Sequence, residues 1–525
     1  MKVVRHRGLR LVLLFASAGL ARGQEIDGTQ TPNAENAHIK KSYTQEIGAG
    51  RENDRVPGSS MYVIHRDPFR SIRRGRELFQ RKFTFEQGLG PRLGDGRGNI
   101  EIEPGHGAGL ADSCAACHGR PRGAAGSGGD VATRPDSRDA PHLFGLGLVE
   151  QLADEMTADL RALRAEALVR ARTNGSSATL DLVAKGVRFG KITVRSTGEV
   201  DTTAVAGVDP DLRVRPFFHQ GGLFSMREFI VGALQAEMGL QALDPDLITA
   251  AAGGRVVTPS GLVLDGSLDR IGASPVVRTA EDRDGDGVVE EVPEAIVDYL
   301  EFYLLNYFKP AIHSQSASAR RGRRSFDRLG CAGCHVQQLT INSDRRVADV
   351  ETVHDPVRGV FNRLFATATP RFIEQNDGSG LPSLKRPALQ PFVVDNFFSD
   401  LKRHDLGPAF HERNYDGTFT SLFVTEPLWG VATTAPYGHD GRSINLEEVT
   451  LRHGGEAQPS RDRFAALSDA DRADLLAFLN TLVLFPPDDT ASNLDPGDAH
   501  HVDFPQRAHG SIRLSGLFND PTDPE

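Results

Sequence analysis

The sequence predicts a mainly α fold of two related domains, with helical and loop insertions and a little β. Three observations carry this: the patterned segments read mostly as helices, a Cys-x-x-Cys-His motif occurs twice, and the residues around its two copies repeat. A chain of 525 residues, 39% hydrophobic and 25% charged, has ample material for more than one core. Its 55 glycines and 30 prolines follow no period, which implies long loops rather than a collagen-like or wholly disordered chain. A net charge of −10 argues against nucleic acid as the main partner.

The elements follow in chain order. Lys2, Arg5, Arg7 and Arg10 precede an apolar stretch from Leu11 to Leu20, and Ala21-Arg22-Gly23 then precedes Gln24. This is the layout of a secretory signal peptide over residues 1–23, and it implies export to the periplasm. Ten apolar residues fall short of the roughly twenty needed to span a bilayer. The best later stretch, 295–308, is interrupted by Asp298, Glu301 and Asn306, so no transmembrane segment is expected. Residues 24–60 read as a flexible extension and the segment after about Pro487 as a poorly ordered tail, 488–525. Between them, one domain is assigned to 61–310 and a second to 311–487. Gly145 to Arg172 reads as a helix ending at Asn174-Gly175, and Ser225 to Gly239 and Asn445 to Arg452 as further helices. Arg188 to Arg195 and Arg213 to Phe218 have short strand character. Ser468 to Leu482 opens with a Ser-x-x-Asp capping box and carries Leu475, Leu476, Phe478, Leu479 and Leu482 on one face. Tyr299, Tyr303 and Tyr307 form a four-residue stripe that reads as core packing.

All four cysteines are used in the two motifs, Cys114-Ala-Ala-Cys117-His118 and Cys331-Ala-Gly-Cys334-His335. C-x-x-C-H is the attachment signature of c-type haem. In a helical turn the two thiols share a face and can form thioethers with one porphyrin, and the following histidine can ligate the iron. A zinc ribbon would need the two pairs brought together from distant parts of the chain, and it leaves the histidine after each pair without a role. Redox dithiols are the other alternative. Two covalently bound haems, each in a cytochrome c-like domain, are therefore expected.

The approach to each motif repeats: Arg73-Arg74-Gly75-Arg76-Glu77-Leu78-Phe79 matches Arg320-Arg321-Gly322-Arg323-Arg324-Ser325-Phe326. The first copy carries a glycine-rich insertion of about thirty residues before Cys114, expected as a surface loop. Downstream, Pro141-His142-Leu143-Phe144-Gly145 resembles Pro427-Leu428-Trp429-Gly430, and His219-Gln220-Gly221 answers His439-Asp440-Gly441. An ungapped alignment on His219 and His439 pairs Glu228 with Glu448 and sets Ala233 opposite His453. His453 can then complete a six-coordinate second iron suited to electron transfer, whereas Ala233 has no ligating atom and leaves the first iron open. His106, His142, Met61 and Met238 remain candidates to cap the first. Peroxide cleavage needs a general acid/base above the open iron, and Glu237 lies one helical turn beyond Ala233.

These motifs, with Thr434-Ala-Pro-Tyr-Gly-His439-Asp-Gly441 and Leu446-Glu-Glu-Val-Thr-Leu-Arg-His453-Gly-Gly, resemble the bacterial di-haem cytochrome c peroxidase superfamily. Arg138 to Glu150, Met226-Arg-Glu-Phe, Glu237-Met-Gly and His453-Gly-Gly-Glu-Ala resemble its di-haem oxidoreductase branch, sometimes called thiol oxidoreductases. The likeness runs from about Ser71 to Pro486. It implies a peroxidatic N-terminal haem and a C-terminal haem that takes electrons from a small cytochrome c or cupredoxin, with hydrogen peroxide as substrate. Where other members carry methionine or tyrosine, His453 implies a low-potential bis-histidine haem. Gln235-Ala-Glu237-Met238 resembles the segment bearing the family's distal glutamate, with two residues fewer. The family's tryptophan between the haems would fall near Phe218-His219, yet the only tryptophan here is Trp429. An enzyme of the same frame that oxidises a protein or another small molecule, and a non-catalytic electron-transfer cytochrome, are the competing readings.

Asp282, Asp284 and Asp286 have the ligand spacing of a calcium loop, but Pro293 stands at the twelfth position, with Glu294 one beyond. Calcium and a plain acidic turn both stay open.

Overall fold

Side-chain caps set most of the helix starts. A short oxygen-bearing side chain accepts the otherwise orphaned amide of the first turn. Ser59, Asp67, Ser225, Asp244, Ser316, Asn445 and Ser468 each do this. In the computed structural model, which describes residues 47–81, 83, 113–118, 139–238, 240, 242, 244–271, 292–306, 311–312, 315–354, 364–370, 372–375, 384–387, 390–414 and 416–483, the helices are α1 (Ser60–Arg66), α2 (Pro68–Gln80), α3 (Cys114–His118), α4 (Leu146–Asn174), α5 (Met226–Ala236), α6 (Pro245–Ala251), α7 (Glu294–Asn306), α8 (Ala317–Leu329), α9 (Leu446–Arg452), α10 (Gln458–Ala465) and α11 (Asp469–Leu479). The expected signal peptide, the glycine-rich insertion, the acidic loop with Asp282, Asp284 and Asp286, and the tail lie outside the described residues. Among the described residues no helix is long and apolar enough to cross a membrane.

The β structure is small and antiparallel. Strands Ala178–Ala184, Val187–Val194 and Val200–Asp201 form a meander beside α4. Short pairs join Leu339–Ile341 to Phe392–Val394 and Arg403–Asp405 to Leu422–Val424. The mainly α reading holds. The strand expected over Arg213 to Phe218 does not form beyond a single bridge from Phe217 to Leu223. Its amides go elsewhere: Arg213 donates to the Asp211 side chain and Val214 to Thr157 Oγ1 on α4, and Pro216 has no amide hydrogen to give. The expected helix over Ser225 to Gly239 stops at Ala236, with Glu237 as its C-cap.

The repeat seen in the sequence is a repeated helix crossing. At Gly75, α2 presses on α7 so closely that a Cβ would lie 2.1 Å from the Tyr299 carbonyl oxygen; at Gly322, α8 presses on α11 with a Cβ 1.9 Å from that of Asp474. The arginine before each glycine binds the residue it faces. Arg74 donates to Tyr299 Oη (2.8 Å), and Arg321 donates through Nε and Nη2 to Asp474 (2.5 and 2.7 Å). One turn on, Phe79 packs against Tyr303 and Phe326 against Phe478, each pair at 5.6 Å between ring centres. The Arg-Arg-Gly-x-x-x-Phe repeat therefore encodes one crossing built twice. Tyr299 and Tyr303 are buried core residues, as expected; Tyr307 lies outside the described residues.

The apolar residues fall into two cores. The smaller gathers Phe326, Leu329, Phe398, Phe464, Leu475 and Phe478 around α8 and α11. The larger surrounds α2, α4, α5 and α7, and it also takes in Leu339, Ile341, Val394, Phe397 and Trp429 from the second half of the chain. From Ile47 on, the segment assigned to a flexible extension is packed down. Ser59 and Ser60 are fully buried, and Arg51 pairs with Asp246 at 3.0 Å and with Asp298, which also accepts from Ser60 Oγ at 2.6 Å. Arg227 on α5, fully buried, binds Asp244 (2.6 Å), Asp298 (3.0 Å) and Glu301 (2.9 Å). The burial of two guanidiniums among these carboxylates is tolerable only because each is paired. Glu150 on α4 accepts from the Met226 amide (2.8 Å) and from Arg345 (2.9 Å), which ties α4 to the start of α5.

Gly75→Ala and Gly322→Ala should each destabilise the chain by about 1–3 kcal/mol or more, because a methyl would meet backbone that cannot yield cheaply; urea denaturation of the two variants checks this. Burial raises the Glu150 carboxyl to about 8 despite Arg345. A carboxyl whose folded pKa exceeds its unfolded one favours the fold at low pH and loses that contribution as pH rises through the folded value. Glu150→Gln, which keeps the acceptor for Met226, should therefore flatten a decline of Tm between about pH 4.5 and 8, and an unchanged decline would show that another group causes it.

Candidate functional site

Both Cys-x-x-Cys-His motifs open onto one cavity of ≈ 700 Å³. Its wall includes Cys117, His118, Pro141, His142, Ala233 and Glu237 from the first half, and Cys331, Cys334, His335, His404, Trp429 and His453 from the second. The first motif forms α3, and the second begins as a 3-10 turn, Cys331–Gly333, after Gly330 ends α8 in a left-handed conformation (φ 86°). The four cysteines are free, and among the described residues they form no disulfide and no four-thiolate cluster. Burial pushes Cys114 up to about 12 and Cys331 up to about 11, so these thiols stay protonated, unlike a reactive dithiol.

Three cavity imidazoles share one device. His118 Nδ1 donates to the Pro141 carbonyl (2.8 Å), His335 Nδ1 to that of Phe398 (2.9 Å), and His453 Nδ1 to that of Val449 (2.7 Å). A carbonyl can only accept, so each ring carries its proton on Nδ1 and keeps the lone pair on Nε2. Burial lowers the pKa of all three, His335 to about 4, which keeps the rings neutral as a metal ligand requires. The donor set thus fits two haems: a thiol pair and an oriented neutral imidazole at each motif, with a third imidazole at 453.

The alignment that set Ala233 against His453 is matched in three dimensions. Phe217 bridges Leu223 just as Tyr437 bridges Ser443; Gly221 and Gly441 both take positive φ; and Ser225 and Asn445 cap the amides of Glu228 and Glu448. Helices α5 and α9 are therefore counterparts, with Ala233 and His453 both on the cavity wall. Glu237 lines the same wall, and its amide donates to the Ala233 carbonyl at 2.9 Å, so it stands one turn beyond the alanine. Of the residues considered as caps for the first site, His106 lies outside the described residues, and Met61 and Met238 are not part of the cavity wall. His142 is on the wall, but Nδ1 accepts the Phe144 amide (3.3 Å) and the ring also bonds the Trp429 backbone; burial lowers it to about 4. With Nδ1 accepting that amide, the ring lacks the Nδ1–carbonyl anchor that the other three imidazoles share.

The two halves meet in the same region. The rings of His219 and His439, counterparts in the repeat, lie 5.9 Å apart, and the Asp139 amide donates to the His439 carbonyl at 2.8 Å. His219 Nδ1 lies 3.1 Å from Glu426, while His439 stacks on Phe423 at 4.1 Å. Trp429 is buried against Phe397, on the cavity wall rather than at the position beside His219.

The sequence reading missed a second ring of partners. His404 is buried with Nε2 2.9 Å from Asp400 and Nδ1 2.8 Å from Glu456, and Cys334 Sγ lies 4.0 Å off the same ring. Burial opposes its charge, but the bond to Asp400 and the neighbouring sulfur prevail and raise it to about 11. The spacing of Asp400 and His404 is an available signal; the Pro141, Phe398 and Val449 carbonyls leave none, because every residue has a carbonyl.

Residues 337–482 match the family model described as "Di-haem oxidoreductase, putative peroxidase". No curated protein matches the chain. Among solved structures, a MauG-like protein associated with microbial copper homeostasis is similar at 16% identity and a TM-score of 0.23, over 55% of this chain and 76% of that one.

Proposed function

We propose that the chain is a di-haem oxidoreductase, as the match of residues 337–482 to that family model supports, and that it is a periplasmic c-type peroxidase with two unequal sites. The observation that carries this is the set of imidazoles held by backbone carbonyls at 118, 335 and 453, with alanine at the fourth equivalent place, 233. Cys114 and Cys117, and Cys331 and Cys334, tether one haem each within a cytochrome c-like domain. When bound, the haems supply redox-active iron and, at the open one, a place for hydrogen peroxide.

The residues divide the work. His118 and His335 would each hold one haem iron through Nε2, and His453 would add a second imidazole at the second site, which would suit that site to receive electrons from a small cytochrome c or cupredoxin. Ala233 leaves the first site room for a small substrate. Glu237, a half-buried carboxylate one turn away, takes a proton from one peroxide oxygen and returns it to the other through its carboxylate oxygens. Phe218, Phe229 and Met226 contribute apolar side chains to the same cavity wall. The calcium reading for Asp282, Asp284 and Asp286 stays a proposal on spacing alone.

Electron paramagnetic resonance of the ferric holoprotein should show one high-spin and one low-spin haem. His453→Ala should turn the low-spin signal high-spin. Ala233→His should turn the high-spin signal low-spin and abolish peroxide turnover, and Glu237→Gln should lower turnover about 10²–10⁴-fold with both spectra unchanged. Two low-spin haems in the parent, without peroxide turnover, would leave an electron-transfer protein as the better reading.

A further inference from the structure

We infer that His404 is a positioning residue, an ionic strap that joins the two segments supporting the second site's imidazoles and holds His453 in place. This rests on the proposed role of His453 as a ligand and adds to it the group that keeps it there.

Both nitrogens of His404 face carboxylates, Asp400 at 2.9 Å and Glu456 at 2.8 Å. Each must therefore donate, and the ring is an imidazolium between two anions. The two carboxylates belong to the two separate segments that support the site's imidazoles. Asp400 follows Phe398, whose carbonyl orients His335. Glu456 follows His453 by three residues, and its other oxygen accepts the Asp405 amide at 3.1 Å.

The backbone between these groups is pressed together. The Gly454 amide donates to the Leu406 carbonyl at 2.8 Å, and a Cβ on Gly455 would lie 2.2 Å from the Asp405 carbonyl oxygen, at a φ of +47° that glycine alone takes without strain. His404 itself sits in the Arg403–Asp405 strand, held by pairing to Leu422–Val424. The segment His453-Gly-Gly-Glu456 thus lies flat on that strand: the glycines permit the approach, and Glu456 ends it on His404. Without the imidazolium, Asp400, almost wholly buried, would face Glu456 with no cation between them, and the repulsion would push the loop that carries His453 outward.

The test uses the ferric holoprotein, with haem content measured as pyridine haemochrome. His404→Gln, retaining two haems, should convert a measurable fraction of the second haem from low to high spin, and added imidazole should restore the low-spin signal by filling the place His453 has left. If His404→Gln does not mature with two haems, Glu456→Gln removes one anion at constant shape and should give the same shift, smaller in extent. A two-haem His404→Gln or Glu456→Gln protein with the parent spectrum would overturn the inference. Failure of the underlying reading looks different: there His453→Ala itself leaves the spectrum unchanged.

Discussion

Backbone touching backbone at two glycines is the constraint from which the rest of the architecture follows. At Gly75 and Gly322 a helix lies against another with no room for a side chain, so each crossing has one depth and one register. The arginine before each glycine and the phenylalanine four residues after it then meet the same two rows of the partner helix. Each motif follows its crossing in the chain, the second of them at once. Leu329 and Gly330, which close α8, deliver Cys331 to the cavity directly.

The cavity chemistry depends on a second, polar constraint. An imidazole buried without a partner on Nδ1 is free to choose either tautomer or to turn away. Tied to a carbonyl it has one lone pair in one direction. His118, His335 and His453 are tied in this way, whereas His142, in the same wall, uses Nδ1 to accept the Phe144 amide. The difference between an imidazole that can bind a metal and one that serves only the fold is thus a matter of which neighbour accepts its proton. The charged interior around Arg227 and Glu150 has the complementary task. It fixes α5, with Ala233 and Glu237, against α4 and α7, so that the first site is shaped by a helix that is held at its start by ion pairs and hydrogen bonds.

The two halves are equal in plan and unequal in detail. The matching bridges, glycines and caps before α5 and α9 bring Ala233 and His453 to corresponding places, so a single side-chain difference falls at the same point of two similar walls. The carbonyls that orient the tethered histidines are not counterparts, however. Pro141 comes from the loop before α4, and Phe398 from a segment of the second half whose neighbour Phe397 packs into the larger core. The chain reused one helix crossing and built each imidazole support anew.

Local features were legible in the sequence because their causes are local. The capping box at Ser468 announced the start of α11; Gly175 marked the end of α4; the repeated Arg-Arg-Gly-x-x-x-Phe and Cys-x-x-Cys-His strings exposed both copies; and the alignment on His219 and His439 exposed the Ala233–His453 contrast. The strand expected at Arg213 to Phe218 failed because its amides found side chains that only the fold brings near. The same reason hid the Pro141, Phe398 and Val449 carbonyls, the disposition of His142, the packing of Arg51 against Asp298, and the bridge from Asp400 through His404 to Glu456. Motif and spacing determine which atoms the chain offers. Which of them face the cavity, in which tautomer and with what partner, is decided by contacts between residues far apart in sequence, and those exist only once the helices have crossed.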